Sequence, residues 1–155
     1  MSHHRFAIPA LSTIAMTVTA GCGARSLTGE WLVTAFEIDG DDYLDDLSQT
    51  YEDDGCIYHA SIEFTVEFDE RDGDDYDGSF EIHYSYGVTG SCGTYSYNYS
   101  ESYDVNASRE DNGEWDIEID DLDVDATCTM EDGALECDGD VGDEDLEMTL
   151  EREED

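Results

Sequence analysis

The sequence predicts an all-β protein: an antiparallel up-and-down meander of about eight strands closing into a barrel, with one short helix after the first strand. Three observations carry this expectation. Apolar residues alternate with polar ones over long runs, as in Ile62, Phe64, Val66 and Phe68 against Glu63, Thr65 and Glu67, and a period of two puts each set on one face of a strand. Asp132-Gly133 stands between two such runs, and it suits a tight hairpin turn whose central positions need positive φ. Four of the cysteines fall where hairpin registers bring them face to face. A two-sheet sandwich is the other architecture that the same strands allow.

At the start of the chain, His3, His4 and Arg5 precede an uncharged run from Phe6 to Ala20. This is the layout of a secretory signal: a basic start, an apolar middle and a small-residue end. The run is shorter than the about 20 apolar residues that span a bilayer. Thr19-Ala20-Gly21-Cys22 resembles the lipobox of bacterial lipoproteins, in which the chain is cut ahead of a cysteine that receives lipid. The resemblance implies a signal peptide over residues 1–21, lipidation of Cys22, a lipid-anchored linker over 22–26 and one acidic β-barrel domain over 27–155. It also implies the bacterial cell envelope, at the outer membrane, because Gly23 rather than Asp follows the cysteine. Ordinary cleavage after Ala20 would instead give a secreted protein.

Charge restricts the partners. The chain carries 43 Asp and Glu against 5 Arg and no Lys, for a net charge of −38. Such a surface repels nucleic acid and anionic headgroups, so the expected link to a membrane runs through the N-terminal lipid alone. Aromatic residues make up 11% of the chain, and with the regular alternation they separate it from disordered acidic segments. The acids also repel one another. Added salt shortens the Debye length below its physiological ~8 Å and relieves that repulsion, so the surface reads as an adaptation to salty surroundings.

Gly29-Glu30-Trp31 opens the first strand, which runs on from Leu32 to Ile38. A Gly-x-Trp behind a signal and ahead of many strands resembles the first motif of lipocalins and of bacterial lipocalin-like outer-membrane lipoproteins. The resemblance implies that Trp31 closes one end of an eight-stranded barrel; otherwise Trp31 is a core aromatic of another β fold. From Asp41 to Glu52 the pattern changes. Tyr43, Leu47 and Tyr51 stand four apart, with Asp41 and Asp42 placed for a helix N-terminus, which predicts a short helix serving as a lid or end plug.

Beyond Gly55 the period returns to two. Phe80, Ile82, Tyr84 and Tyr86 alternate with Glu81, His83 and Ser85, and these form a hairpin with Ile62 to Phe68 whose apolar sets must share a face. Pairing Phe68 with Phe80 puts Val66 opposite Ile82, Phe64 opposite Tyr84 and Cys56 opposite Cys92. The next strand, Tyr95 to Ala107, brings Tyr95, Tyr97 and Tyr99 onto the face of Tyr84 and Tyr86, with Glu101 in the same register. That tyrosine ladder either lines a ligand pocket or forms an amphipathic wall. An inward Glu101 would have its pKa raised by desolvation and serve as a polar anchor; a bulge would turn it outward.

Trp115, Ile117 and Ile119 continue the alternation, and a phase shift at Asp120-Asp121 marks a tight turn or a bulge. Counting outward from Asp132-Gly133 sets Met130 opposite Leu135 and Cys128 opposite Cys137, close enough for a disulfide. The last strand, Asp145 to Arg152, turns Leu146, Met148 and Leu150 inward. The cysteines therefore predict two disulfides, Cys56 with Cys92 and Cys128 with Cys137, leaving Cys22 as the odd one. A zinc site built from them lacks any Cys-x-x-Cys spacing.

No catalytic constellation stands out. His59 and His83 are the histidines beyond the signal, and acids are too many for a carboxylate pair to carry information, so the expectation is a protein that is not an enzyme. No cofactor and no built metal site are expected. Calcium is the cation that the acidic loops expected at Asp69–Asp77 and Asp138–Asp145 invite, although neither has EF-hand spacing. Two functions remain. One is a non-enzymatic binding module that holds a small apolar or aromatic molecule in a barrel lined by Trp31, Tyr84, Tyr86 and Tyr97, with Glu101 as anchor. The other is a structural or interaction protein of the envelope, with a filled barrel and an acidic, cation-attracting surface. Acid repulsion of this size makes stability salt-dependent: the thermal midpoint should rise by roughly 5 °C or more between about 0.05 M and 1 M NaCl. A flat or falling midpoint in calorimetry would contradict that.

Overall fold

The computed structural model describes residues 26–153. The expected signal peptide, Cys22 and most of the expected linker lie outside the described residues. The strands are β1 (Gly29–Ile38), β2 (Asp41–Asp42), β3 (Gln49–Asp53), β4 (Cys56–Asp72), β5 (Asp75–Gly90), β6 (Tyr95–Arg109), β7 (Trp115–Ile119), β8 (Val124–Glu131), β9 (Ala134–Val141) and β10 (Glu144–Arg152). One helix, α1 (Tyr43–Leu47), follows the first hairpin. Each neighbouring pair is antiparallel, and β1 pairs with both β10 and β4, so β1 and β4 to β10 close an eight-stranded up-and-down barrel.

Turn chemistry sets the hairpins. Asp132 and Gly133 both take positive φ, at 49° and 99°, as a two-residue hairpin turn with the twist of its strands requires. Asp39-Gly40 and Asp54-Gly55 do the same between β1 and β2 and between β3 and β4. The phase shift after Ile119 is a turn: residues Asp120–Leu122 form a short 3-10 helix that ends on Asp123 at φ 54°.

Three expectations change. The β4–β5 register lies two residues from the predicted one, with Val66 opposite Phe80, Phe64 opposite Ile82 and Cys56 opposite Gly90. The faces survive because a slip of two preserves parity. The acidic segments Asp69–Asp77 and Asp138–Asp145 are strand with tight turns at Gly73 and Gly142 rather than loops, and the first of these moves the β4–β5 hairpin tip. The predicted helix is shorter, since Asp42 caps it through Leu44 and Asp45 N–H groups but Ser48 is extended and Tyr51 lies in β3, paired with Tyr58.

The core fills the barrel. Val33, Phe64, Val66, Phe68 and Phe80 pack from one side, and Ile117, Leu135, Leu146, Met148 and Leu150 from the other, all buried. Trp31 is fully buried at one end. Its Nε1 donates to Leu27 O at 2.8 Å, and the Arg152 guanidinium covers its ring at 4.7 Å while donating to Thr28 O and Ser26 O. That end is closed by an aromatic ring, a cation stacked on it, and carbonyl oxygens that neutralise the cation's remaining donors.

Both disulfides form as expected, Cys56–Cys92 and Cys128–Cys137, with α-carbon separations of 5.9 Å and 4.0 Å. Most of the charge has no counterion in the chain; among the described residues Arg71 pairs with Asp75 at the surface, and the His83 imidazole lies beside the Glu81 carboxyl. Crowding of acids shows directly. The Glu153 carboxylate beside Glu30 raises its pKa above the usual carboxylate value, and Asp116 does the same to Glu110. Replacing Trp31 by Ala should lower the unfolding free energy by about 3 to 5 kcal/mol, and Arg152→Ala by about 1 to 2 kcal/mol, measured by urea denaturation. Equal losses in the two variants would contradict a plug whose main term is the buried indole.

Candidate functional site

Strand lengths create the site. β4, β5 and β6 have 17, 16 and 15 residues, while β7 has 5. β7 meets β6 only over Asn106–Arg109, and β1 meets β4 only over Thr65–Phe68. The rest of β4, β5 and β6, with β3 added along Cys56–Ala60, stands above the barrel as a four-stranded extension. α1 lies against β1 and β4 where these strands part, and the Phe36 and Phe64 rings meet edge-on at 5.1 Å across the gap.

Directly opposed residues point to the same side of an antiparallel pair. Tyr51 pairs with Tyr58, Tyr84 with Tyr99, Tyr86 with Tyr97, Val88 with Tyr95 and Ile82 with Glu101. This face continues the one that carries Phe64 and Phe80 into the core. Eight of the ten tyrosines therefore share one surface: 51, 58, 84, 86, 95, 97, 99 and 103. Tyr51 and Tyr58 stack at 4.6 Å, and Tyr97 and Tyr99 at 6.5 Å. Tyr51, Tyr95, Tyr97 and Tyr99 are 44–59% exposed, too open for a core wall and too apolar for an ordinary surface.

Of the residues singled out from sequence, Tyr84, Tyr86, Tyr97 and Glu101 come together here. Trp31 does not join them. It pairs with Val66, whereas Tyr86 pairs with Ala60, a path of about 20 Å along β4, with the core between. Tyr51, Tyr58 and Tyr103 were missed. Tyr58 is in phase with Ile62 and Phe64, so extending their alternation backward finds it.

Glu101 is on the tyrosine face as its register implied, but its pKa is lowered rather than raised. Tyr103 Oη donates to its Oε2 at 2.6 Å and Tyr99 Oη donates to its Oε1. Those donors stabilise the carboxylate and outweigh desolvation, because Glu101 is exposed. The same bonds hold the phenols protonated: Tyr99 is pushed up to about 12 from 10.0, and Tyr103 also rises.

The opposite face of the extension is polar. His83 Nδ1 lies 3.0 Å from Ser100 Oγ, and its Nε2 lies 3.1 Å from a Glu81 oxygen. This has the residue types of a nucleophile, base and orienting acid. The three sit on an exposed strand surface, and the backbone of β5 there is committed to β4 and β6, whereas acyl transfer needs convergent donors for an oxyanion. Among the described residues no cluster of three metal-ligating side chains occurs. An open groove of about 850 Å³ lies beside Trp31, Met130 and Asp132; Arg152 there is already held by the indole and two carbonyls.

No known family, curated protein or solved structure matches this chain. The site therefore rests on its own geometry.

The Tyr99 contribution to stability should be full below about pH 10 and be lost as pH rises through about 12, because the folded state raises this pKa. The Glu101 contribution has the other sign: present above its unfolded pKa, it is lost as pH falls through the lowered folded value. Glu101→Gln should return Tyr99 toward 10.0, read as phenolate absorbance against a Tyr99→Phe reference. An unshifted curve would show that Tyr99 does not depend on this carboxylate.

Proposed function

We propose that this chain is an exported, lipid-anchored, non-enzymatic binding module whose ligand surface is the tyrosine face above the barrel. The observation that carries the reading is that eight tyrosines share one partly exposed face continuous with the core. Such rings present a large, stiff contact area with hydroxyls at the rim, which suits a small planar or apolar ligand. The anchor and the envelope location rest on the lipobox-like Thr19-Ala20-Gly21-Cys22, and the lipocalin-like character on Gly29-x-Trp31. The packed barrel favours a second reading, an interaction protein of the envelope with a filled barrel and an acidic surface.

Two measurements decide between them. Mass spectrometry of the protein purified from its own envelope should find the chain beginning at Cys22 with acyl mass added; an unmodified N-terminus would overturn the anchor. Titration with indole as the probe, followed by NMR, should shift the Tyr84, Tyr86 and Tyr97 ring resonances, and Tyr86→Ser should weaken binding about fivefold to tenfold. Indole binding confined to the groove beside Trp31, or none at all, would leave the second reading.

A further inference from the structure

The tyrosine surface is not uniform. Where the C-terminal end of α1 meets β3 and β4, it forms a niche of about 210 Å³ whose walls include Tyr51, Tyr58, Tyr84, Tyr86, Leu47 and Asp46. The volume is decisive for size. Sites for drug-sized ligands begin at about 300 Å³, so this niche suits a headgroup rather than a large planar molecule. Crowding of phenols is visible in Tyr86, whose pKa is raised by desolvation first and by Tyr51, Tyr58, Tyr84 and Tyr95 after it.

The walls also have a sign. Aromatic faces carry the negative part of a quadrupole and attract cations, and Asp46 adds a carboxylate. Tyr51 and Tyr58 cover one face of each other by stacking at 4.6 Å, and His59 also borders the niche; the chain's own arginines do not occupy the faces left open. Arg152 lies over Trp31 and Arg109 over Trp115, and Arg71, the remaining described arginine, is at the far end of β4 beside the tight turn to β5. So two indoles have internal partners, and among the described residues no arginine reaches the tyrosines of the niche.

We infer that the niche formed by Tyr51, Tyr58, Tyr84, Tyr86 and Asp46 binds a small organic cation, specifically an alkylated ammonium group. This rests on the tyrosine face being the ligand surface and names the chemistry of one niche within it. A methylated ammonium sheds water easily and presents a diffuse charge to ring faces, whereas hard cations demand six or more oxygen ligands that phenyl walls lack. The field of a chain with net charge −38 raises the local concentration of any cation. Selection among cations then falls to the rings.

The test uses the full chain with choline chloride as the probe, against 3,3-dimethyl-1-butanol, its neutral isostere, and against sodium chloride at equal ionic strength. Ring resonances of the four tyrosines report binding. Choline should saturate them, with the neutral isostere about tenfold weaker or worse. Tyr86→Leu should weaken choline about tenfold, while Ile57→Ser, on the opposite face of β4 and outside the niche, should leave it unchanged. Both residues are partly exposed, and the unfolding midpoint of each variant checks the fold. Equal affinity for choline and its isostere would overturn the cation inference and leave the tyrosine face as a ligand surface. Equal shifts with sodium would show only diffuse counterions and overturn it too. Silence of the niche toward choline while indole still binds the face would sink this inference alone; silence toward both would remove the parent reading as well.

Discussion

Four backbone pairings, from Gly29 opposite Phe68 to Leu32 opposite Thr65, turn a twisted sheet into a barrel. Everything above and below depends on where they stop. Below the last of them the strands surround a packed interior with Trp31 fully buried and Arg152 over it. Above it β1 and β4 separate, so the inward face of β4, β5 and β6 loses the opposite wall that would cover it. The same alternation that supplies Phe64 and Phe80 to the core supplies Tyr84, Tyr86, Tyr97 and Tyr99 to water. Tyrosine answers that change of environment: its ring tolerates the apolar neighbour and its hydroxyl tolerates the solvent.

The fold was legible because parity is a strong constraint. Alternation in the sequence assigns a residue to one face or the other, and a burial error would turn a whole apolar set outward. Parity does not fix the offset along a partner strand, which is why β4 and β5 pair two residues away from the simplest alignment. The turn at Gly73 decides that offset, and its sequence is acidic enough to look like a loop. The disulfide expectation survived the slip because Cys92 lies just past Gly90 at the end of β5, within 5.9 Å of Cys56.

Tyr43, Leu47 and Tyr51 show a different limit. A spacing of four is close to one helical turn and is also two strand pleats, so the sequence supports both over that span. Pairing with β4 settled Tyr51 as strand, while the Asp42 cap kept Tyr43 and Leu44 helical. The site was legible in part for the same reason. Tyr84, Tyr86, Tyr97 and Glu101 fell together because they share parity on paired strands. Trp31 shares the inward face but not the height, and height depends on which strands are long. Glu101 kept the face its register gave it, and two phenol hydroxyls reach it there in the open, so hydrogen bonding rather than desolvation governs its carboxyl.

The position of Ser26 gives the molecule a direction. Its carbonyl is bound by Arg152 and its hydroxyl lies 3.4 Å from that of Tyr76, so the polypeptide leading into the barrel leaves from the sealed end. The described arginines gather at that end as well, and the eight tyrosines of the open face lie toward the other. Were the N-terminus the point of attachment, as proposed, the end closed by Trp31 and Arg152 would face it and the tyrosine face would point into the medium.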